Sequence, residues 1–156
     1  MRPVQVSTEI ALPPGDVWDF MWGHGGPPRF LADMHRLGYW RDVTAVEEFE
    51  MRADGTPRYR MSRKFGPFPP VSMTSVYDLF ERPSRAVNHV ADTPLRGDFV
   101  ATYEPTRDGT RITWRWEVGA ANPVLNALLR LLRPYLVRSL QENLDQYGMA
   151  VTQTRP

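Results

Sequence analysis

The sequence contains no cysteine. Disulfides, thiol nucleophiles and cysteine-ligated metal are therefore excluded, and a cytoplasmic location is expected. Lysine is nearly missing: Lys64 stands alone among 19 basic residues, a bias we read as GC-rich coding and not as a demand for guanidinium chemistry. Histidine is scarce. His24, His35 and His89 lack the i, i+4 spacing of a helical zinc site, so no metal is expected. No apolar run approaches the roughly 18 residues of a membrane helix, and Gln5, Ser7 and Glu9 interrupt the first apolar stretch, so neither an integral membrane segment nor a signal peptide is expected. An excess of either charge is also lacking: the formal net charge is +1, and nucleic acid is not an expected partner. No Gly-x-Ser-x-Gly elbow surrounds Ser62, Ser72, Ser75 or Ser139, and Gly23-His24-Gly25-Gly26 lacks the lysine and hydroxyl residue of a phosphate loop.

What is present describes one globular domain over residues 1–156, with 42% hydrophobic and 24% charged residues. Val4, Val6, Thr8 and Ile10 alternate with polar residues, which predicts a strand. Pro13, Pro14 and Asp16 then introduce Val17, Trp18, Phe20 and Met21 at helical spacing, predicting a short helix over about 14–22. Residues 23–28 read as a loop and 29–34 as one or two helical turns. Strands are expected over 40–51 and 58–65, joined by a hairpin at Ala53-Asp54-Gly55-Thr56. Gly66, Pro67, Phe68, Pro69 and Pro70 end the second of these. Further strands are expected over 71–80, 85–90, 98–104 and 110–118, the last two joined at Asp108-Gly109. From Asn122 the period changes: Leu125, Leu128, Leu129, Leu132, Leu136, Leu140, Leu144 and Tyr147 recur every three or four residues, predicting one long amphipathic helix capped by Asn122 and bent at Pro134. The expected class is α+β.

This order resembles the helix-grip fold of the START-related (SRPBCC) superfamily, and within it the polyketide cyclase/dehydrase group. The likeness rests on Val4-Gln5-Val6 to Ile10 followed by Ala11-Leu12-Pro13-Pro14-Gly15-Asp16-Val17-Trp18, on Pro83-Ser84-Arg85-Ala86-Val87, and on Gly109-Thr110-Arg111-Ile112-Thr113-Trp114. It implies a curved antiparallel sheet of about seven strands wrapped around the long C-terminal helix, two short helices after the first strand, and an internal cavity for an apolar small molecule. It also implies a bacterial biosynthetic cyclase or dehydratase acting without cofactor on a polyketide-like intermediate; a non-catalytic carrier of an apolar ligand is the alternative. First-ring aromatase/cyclases resembling this chain place an arginine near the position of Tyr77 or Asp78, and here it is missing.

Strand alternation turns Val87, His89 and Ala91 to one face, making His89 the candidate cavity imidazole for proton transfer, or else a structural histidine. Tyr77, on a face with Val71, Met73, Ser75 and Leu79, is a candidate donor to a carbonyl or enolate oxygen, or a packing residue. Arg63 is a candidate for charge stabilisation, or the partner of a sheet-edge carboxylate such as Glu48 or Glu50. Candidate substrate-binding residues are Tyr103, Trp114, Trp116, Met73, Phe99, Leu132 and Leu136, which plain core packing also explains. Residues 23–26 are expected to form a mobile lip at the cavity entrance. Arg130, Arg133 and Arg138 line the long helix, as a solvated face or as a surface for a membrane or protein. The expected state is monomer or homodimer.

Overall fold

The structure is a computed structural model describing residues 2–64, 67 and 69–154. Strand β1 (Val4–Ile10) leads into helices α1 (Pro14–Trp22) and α2 (Gly26–Arg36). Strands β2 (Val43–Met51), β3 (Pro57–Arg63), β4 (Val71–Glu81), β5 (Arg85–Ala91), the two-residue β6 (Leu95–Arg96), β7 (Asp98–Thr106), β8 (Gly109–Trp116) and the two-residue β9 (Gly119–Ala120) follow. Helices α3 (Pro123–Leu131) and α4 (Arg133–Gln153) close the chain. The main sheet is antiparallel in the order β1-β8-β7-β5-β4-β3-β2, and β6 pairs with β9 beside it. This is the helix-grip arrangement: a seven-stranded sheet, two short helices inserted after its first strand, and a C-terminal helix packed on the concave face along β1.

Local chemistry explains the elements. The Asp54-Gly55 hairpin closes through Gly55 N–H to Arg52 O and Arg52 N–H to Thr56 O, both 2.9 Å. Asn122 caps α3 by accepting from the Val124 amide at 2.8 Å. A backbone seam ties the end of the sheet to its beginning. A Cβ on Gly109 would stand 2.0 Å from the Ile10 carbonyl oxygen, so only glycine lets β8 start this close to β1. The next residue, fully buried Thr110, donates to Leu12 O at 2.7 Å and holds the proline turn that launches α1.

Two expected features differ. The expected loop over 23–28 is shorter: α2 already begins at Gly26, with Pro27 and Pro28 in its first turn, where a missing amide proton costs nothing. Gly26 and Pro27 are buried, and Gly26, at φ +59°, lies so close to the Phe49 ring that a Cβ would meet it at 2.6 Å. The single long helix is instead two, because Pro134 lacks the amide that would continue the ladder and so begins a new helix at Arg133. The expected end of a strand at Phe65, and Gly66 and Phe68 of the turn after it, lie outside the described residues.

The core is an aromatic cluster clamped between α1, α2, α4 and the sheet. Trp18 lies 4.8 Å from Phe80 and 5.2 Å from Tyr103 between ring centroids, and Tyr147 of α4 stacks on Phe20 at 5.6 Å. Leu140, Leu144, Ala150 and Val151 complete the buried face of α4. Among the described residues no helix is long and apolar enough to cross a membrane.

Candidate functional site

The site follows from which residues each strand turns toward the helices. Cross-strand partners share a face, and the register aligns Tyr77, Asn88, Phe99, Trp116 and Val4 across five strands. Tyr59 pairs with Ser75, Met61 with Met73, and Ala101 with Trp114. These positions form the concave face, and among the described residues they carry no histidine, aspartate or glutamate.

The face has two unlike ends. At one, the aromatic cluster seals the interior. At the other, Met61, Met73, Phe99 and Trp116, with Leu95, Leu125 and Leu136 beyond them, are apolar yet only partly buried, and Trp114 joins the two ends by packing on both Tyr147 and Phe99. Together they make this end of the concave face apolar and incompletely covered, with α3 packed beside it on β9. Two paired methionines give its floor an unbranched, polarizable surface that adapts to shape.

Polar groups stand where the sealed end meets the cleft. The Tyr59 and Tyr77 hydroxyls are 3.0 Å apart, and buried Ser75 stands across the strand pair from Tyr59. Burial raises both phenols, Tyr77 well above its ordinary value, with the neighbouring Tyr59 adding to the effect. Both therefore stay protonated donors at neutral pH. Burial likewise raises Tyr103 and Tyr147. Asn88, only 7% exposed, projects beside Tyr77, and its amide makes no hydrogen bond to any described residue. The amide is not among the enclosed side-chain groups that lack a partner, so it keeps access to solvent, which a ligand oxygen or hydroxyl can replace.

The expected site residues divide. Met73, Phe99, Trp114 and Trp116 lie on the concave face, and Leu136 packs against the core from α4. Tyr77 points inward and Tyr103 is buried against Trp18. His89 does not point inward. It sits between Val76 and Asp98 on the outer face, where Nδ1 pairs with Asp78 Oδ2 at 2.7 Å and both side chains are largely exposed. Since Tyr77 and Phe99 face the helices, Asn88 between them must too, and His89 one residue on must face away. Leu132 is the junction between α3 and α4 and is 41% exposed, so it turns from the cleft. Arg63 meets neither Glu48 nor Glu50: its Nε lies 3.0 Å from Asp42 Oδ2, as an ion pair without an aligned hydrogen bond.

Two open recesses flank α4. One of about 250 Å³ is lined by Trp40, Arg41, Asp42, Lys64, Tyr135, Ser139, Glu142 and Gln146, among others. The second, of about 420 Å³, runs between α4 and β1 and includes Glu9, Asp145 and Gln153. The first mixes cations with carboxylates and the second carries the carboxylates Glu9 and Asp145, which suits neither to an apolar ligand. No cluster of three or more metal-ligating side chains occurs among the described residues.

A sheet gripping a C-terminal helix over an apolar cleft defines the helix-grip class. The chain belongs to the family described as "Polyketide cyclase / dehydrase and lipid transport", whose model matches residues 1–148. Among solved structures, it is similar to TTHA0849 from Thermus thermophilus (17% identity, 99% of each chain, TM-score 0.76). It is similar also to the di-domain ARO/CYC StfQ of the steffimycin biosynthetic pathway (15% identity, 97% of this chain and 49% of that one, TM-score 0.72). A third is protein Ms6760 from Mycobacterium smegmatis (17% identity, 98% of this chain and 92% of that one, TM-score 0.70). At these identities the likeness shows the fold. A search of curated proteins finds no match.

Proposed function

We propose that this protein binds an extended or planar apolar small molecule bearing at least one carbonyl or hydroxyl oxygen. The observation that carries this reading is the half-buried apolar end of the concave face, ended by the unpartnered Asn88 amide and the Tyr59–Tyr77 hydroxyl pair. Apolar walls supply affinity and a few convergent polar groups fix orientation. The ligand's tail lies along Met61, Met73, Phe99 and Trp116, and its oxygen meets Asn88.

A second reading, cyclisation or dehydration of a polyketide-like chain, is favoured by one observation: the hydroxyl pair and Asn88 offer donors to an oxygen on which negative charge develops. Among the described residues the concave positions carry no histidine or carboxylate to serve as base, so shape and hydrogen-bond donation would carry the reaction, with Tyr77 as the donor.

The test is the affinity of a fluorescent naphthylamine probe for wild type, Met73→Trp and Asn88→Leu. Met73→Trp fills the cleft and should weaken binding at least about tenfold, the consequence of losing ~1.4 kcal/mol of contact. Asn88→Leu should retain the apolar probe but weaken its carbonyl-bearing analogue. Unchanged affinities in both variants refute the binding site. Product from a poly-β-keto substrate, reduced by Tyr77→Phe in kcat, establishes the second reading; binding without product rejects it.

A further inference from the structure

Helix α3 and the start of α4 are apolar on both sides. Leu125, Leu129 and Leu136 face the protein, while Val124, Leu128, Leu131 and Tyr135, at successive spacings of four, three and four residues, form a second stripe facing out. Their exposures of 77, 47, 77 and 53% are far from what an ordinary solvated helix face shows for large apolar side chains. No acidic residue occurs from Val118 to Gln141. Arg130 and Arg138 have no carboxylate partner among the described residues. Arg133 donates to Pro3 O at 2.9 Å and brings exposed Arg2 to the same end. Arg96, also exposed, lies on β6, which pairs with the β9 segment that α3 packs on.

We infer that α3 and the first turn of α4 form a docking surface for an anionic lipid bilayer. An apolar stripe flanked by arginines, on a segment that itself carries no carboxylate, is complementary to such a surface: the side chains enter the acyl boundary while guanidinium groups meet the headgroups. A neutral apolar protein partner would leave the arginines unmatched. Because α3 packs on β9, which follows β8 in the chain and pairs with β6, docking sets the Phe99–Trp116 end of the concave face near the phase in which an apolar ligand is dissolved.

Co-sedimentation of the full chain with unilamellar vesicles, no ligand added, tests this independently of the ligand-binding reading. Vesicles of phosphatidylcholine with about one third phosphatidylglycerol should retain the protein; pure phosphatidylcholine should retain much less, and high salt should release it. Leu131→Asp should abolish retention, and because Leu131 is so exposed the variant should keep the wild-type circular dichroism. Arg130→Gln and Arg138→Gln should each weaken binding about fivefold. Failure of the wild type to bind anionic vesicles, or equal binding by all variants, overturns the inference. So does a dimer in light scattering that Leu131→Asp dissolves while vesicle binding is absent, which would give the face to a second copy of this chain.

Discussion

Raising the pH should unfold this protein steeply, because four phenols, Tyr59, Tyr77, Tyr103 and Tyr147, are buried and all have their ionisation pushed upward. In the unfolded chain each ionises near pH 10. The folded state then retains protons that the unfolded state releases, so the stabilisation is complete below about pH 10 and declines as pH rises toward the folded values. Each phenol removes about 1.4 kcal/mol per pH unit in that window, and four remove about 5 to 6 kcal/mol per unit. Against a total stability of about 5 to 15 kcal/mol, the chain should unfold within about one to three units above pH 10. Tyrosinate absorbance and far-ultraviolet circular dichroism, followed together, should show the buried phenols ionising in the same cooperative step that destroys the fold. Tyr77→Phe should make the loss about one quarter shallower. Gradual ionisation of all four phenols with native circular dichroism would refute the placement of these rings.

Thr110→Val should cost about 1 to 3 kcal/mol in urea unfolding, because it leaves the Leu12 carbonyl without its buried donor. Leu144→Ala, at a fully buried position on α4, should cost about 2 to 5 kcal/mol in the same assay. His89→Ala should change stability by less than about 1 kcal/mol and probe affinity not at all, since its pair with Asp78 is exposed on the outer face; a large loss of binding would place the imidazole at the site after all.

The fold is legible because its signals are periodic and local. Alternation in residues 4–10 and 110–118, the Asp-Gly hairpins, the Asn122 cap and the leucine recurrence each correspond to a physical device in the structure. The split at Pro134 follows from the same proline chemistry, taken one step further than a bend. The site is less legible because alternation defines two faces without saying which is inner. In β5, Ala86-Asn88-Val90 and Val87-His89-Ala91 are about equally apolar, and only pairing to Tyr77 and Phe99 distinguishes them. Alternation alone therefore does not decide between His89 and its neighbour Asn88. That pairing is non-local, and the bulge between Tyr77 and Leu79 shifts phase along β4, so Phe80, not Leu79, joins the aromatic core. Arg63 does have a carboxylate partner, but that partner, Asp42, precedes β2 in a segment that reads as strand from sequence. Leu132 shares the leucine period yet falls at the helix junction, where the face it belongs to changes.

The binding reading is tested most directly by methyl NMR of the seven methionines during titration with the naphthylamine probe. Met61 and Met73, paired on the cleft floor, should shift together and saturably. Met34, fully buried on α2, and Met51 and Met149, exposed elsewhere, should not move. Shifts confined to Met149, beside the recess between α4 and β1, or binding that leaves Met61 and Met73 unperturbed, would contradict the assignment of the ligand to the concave face.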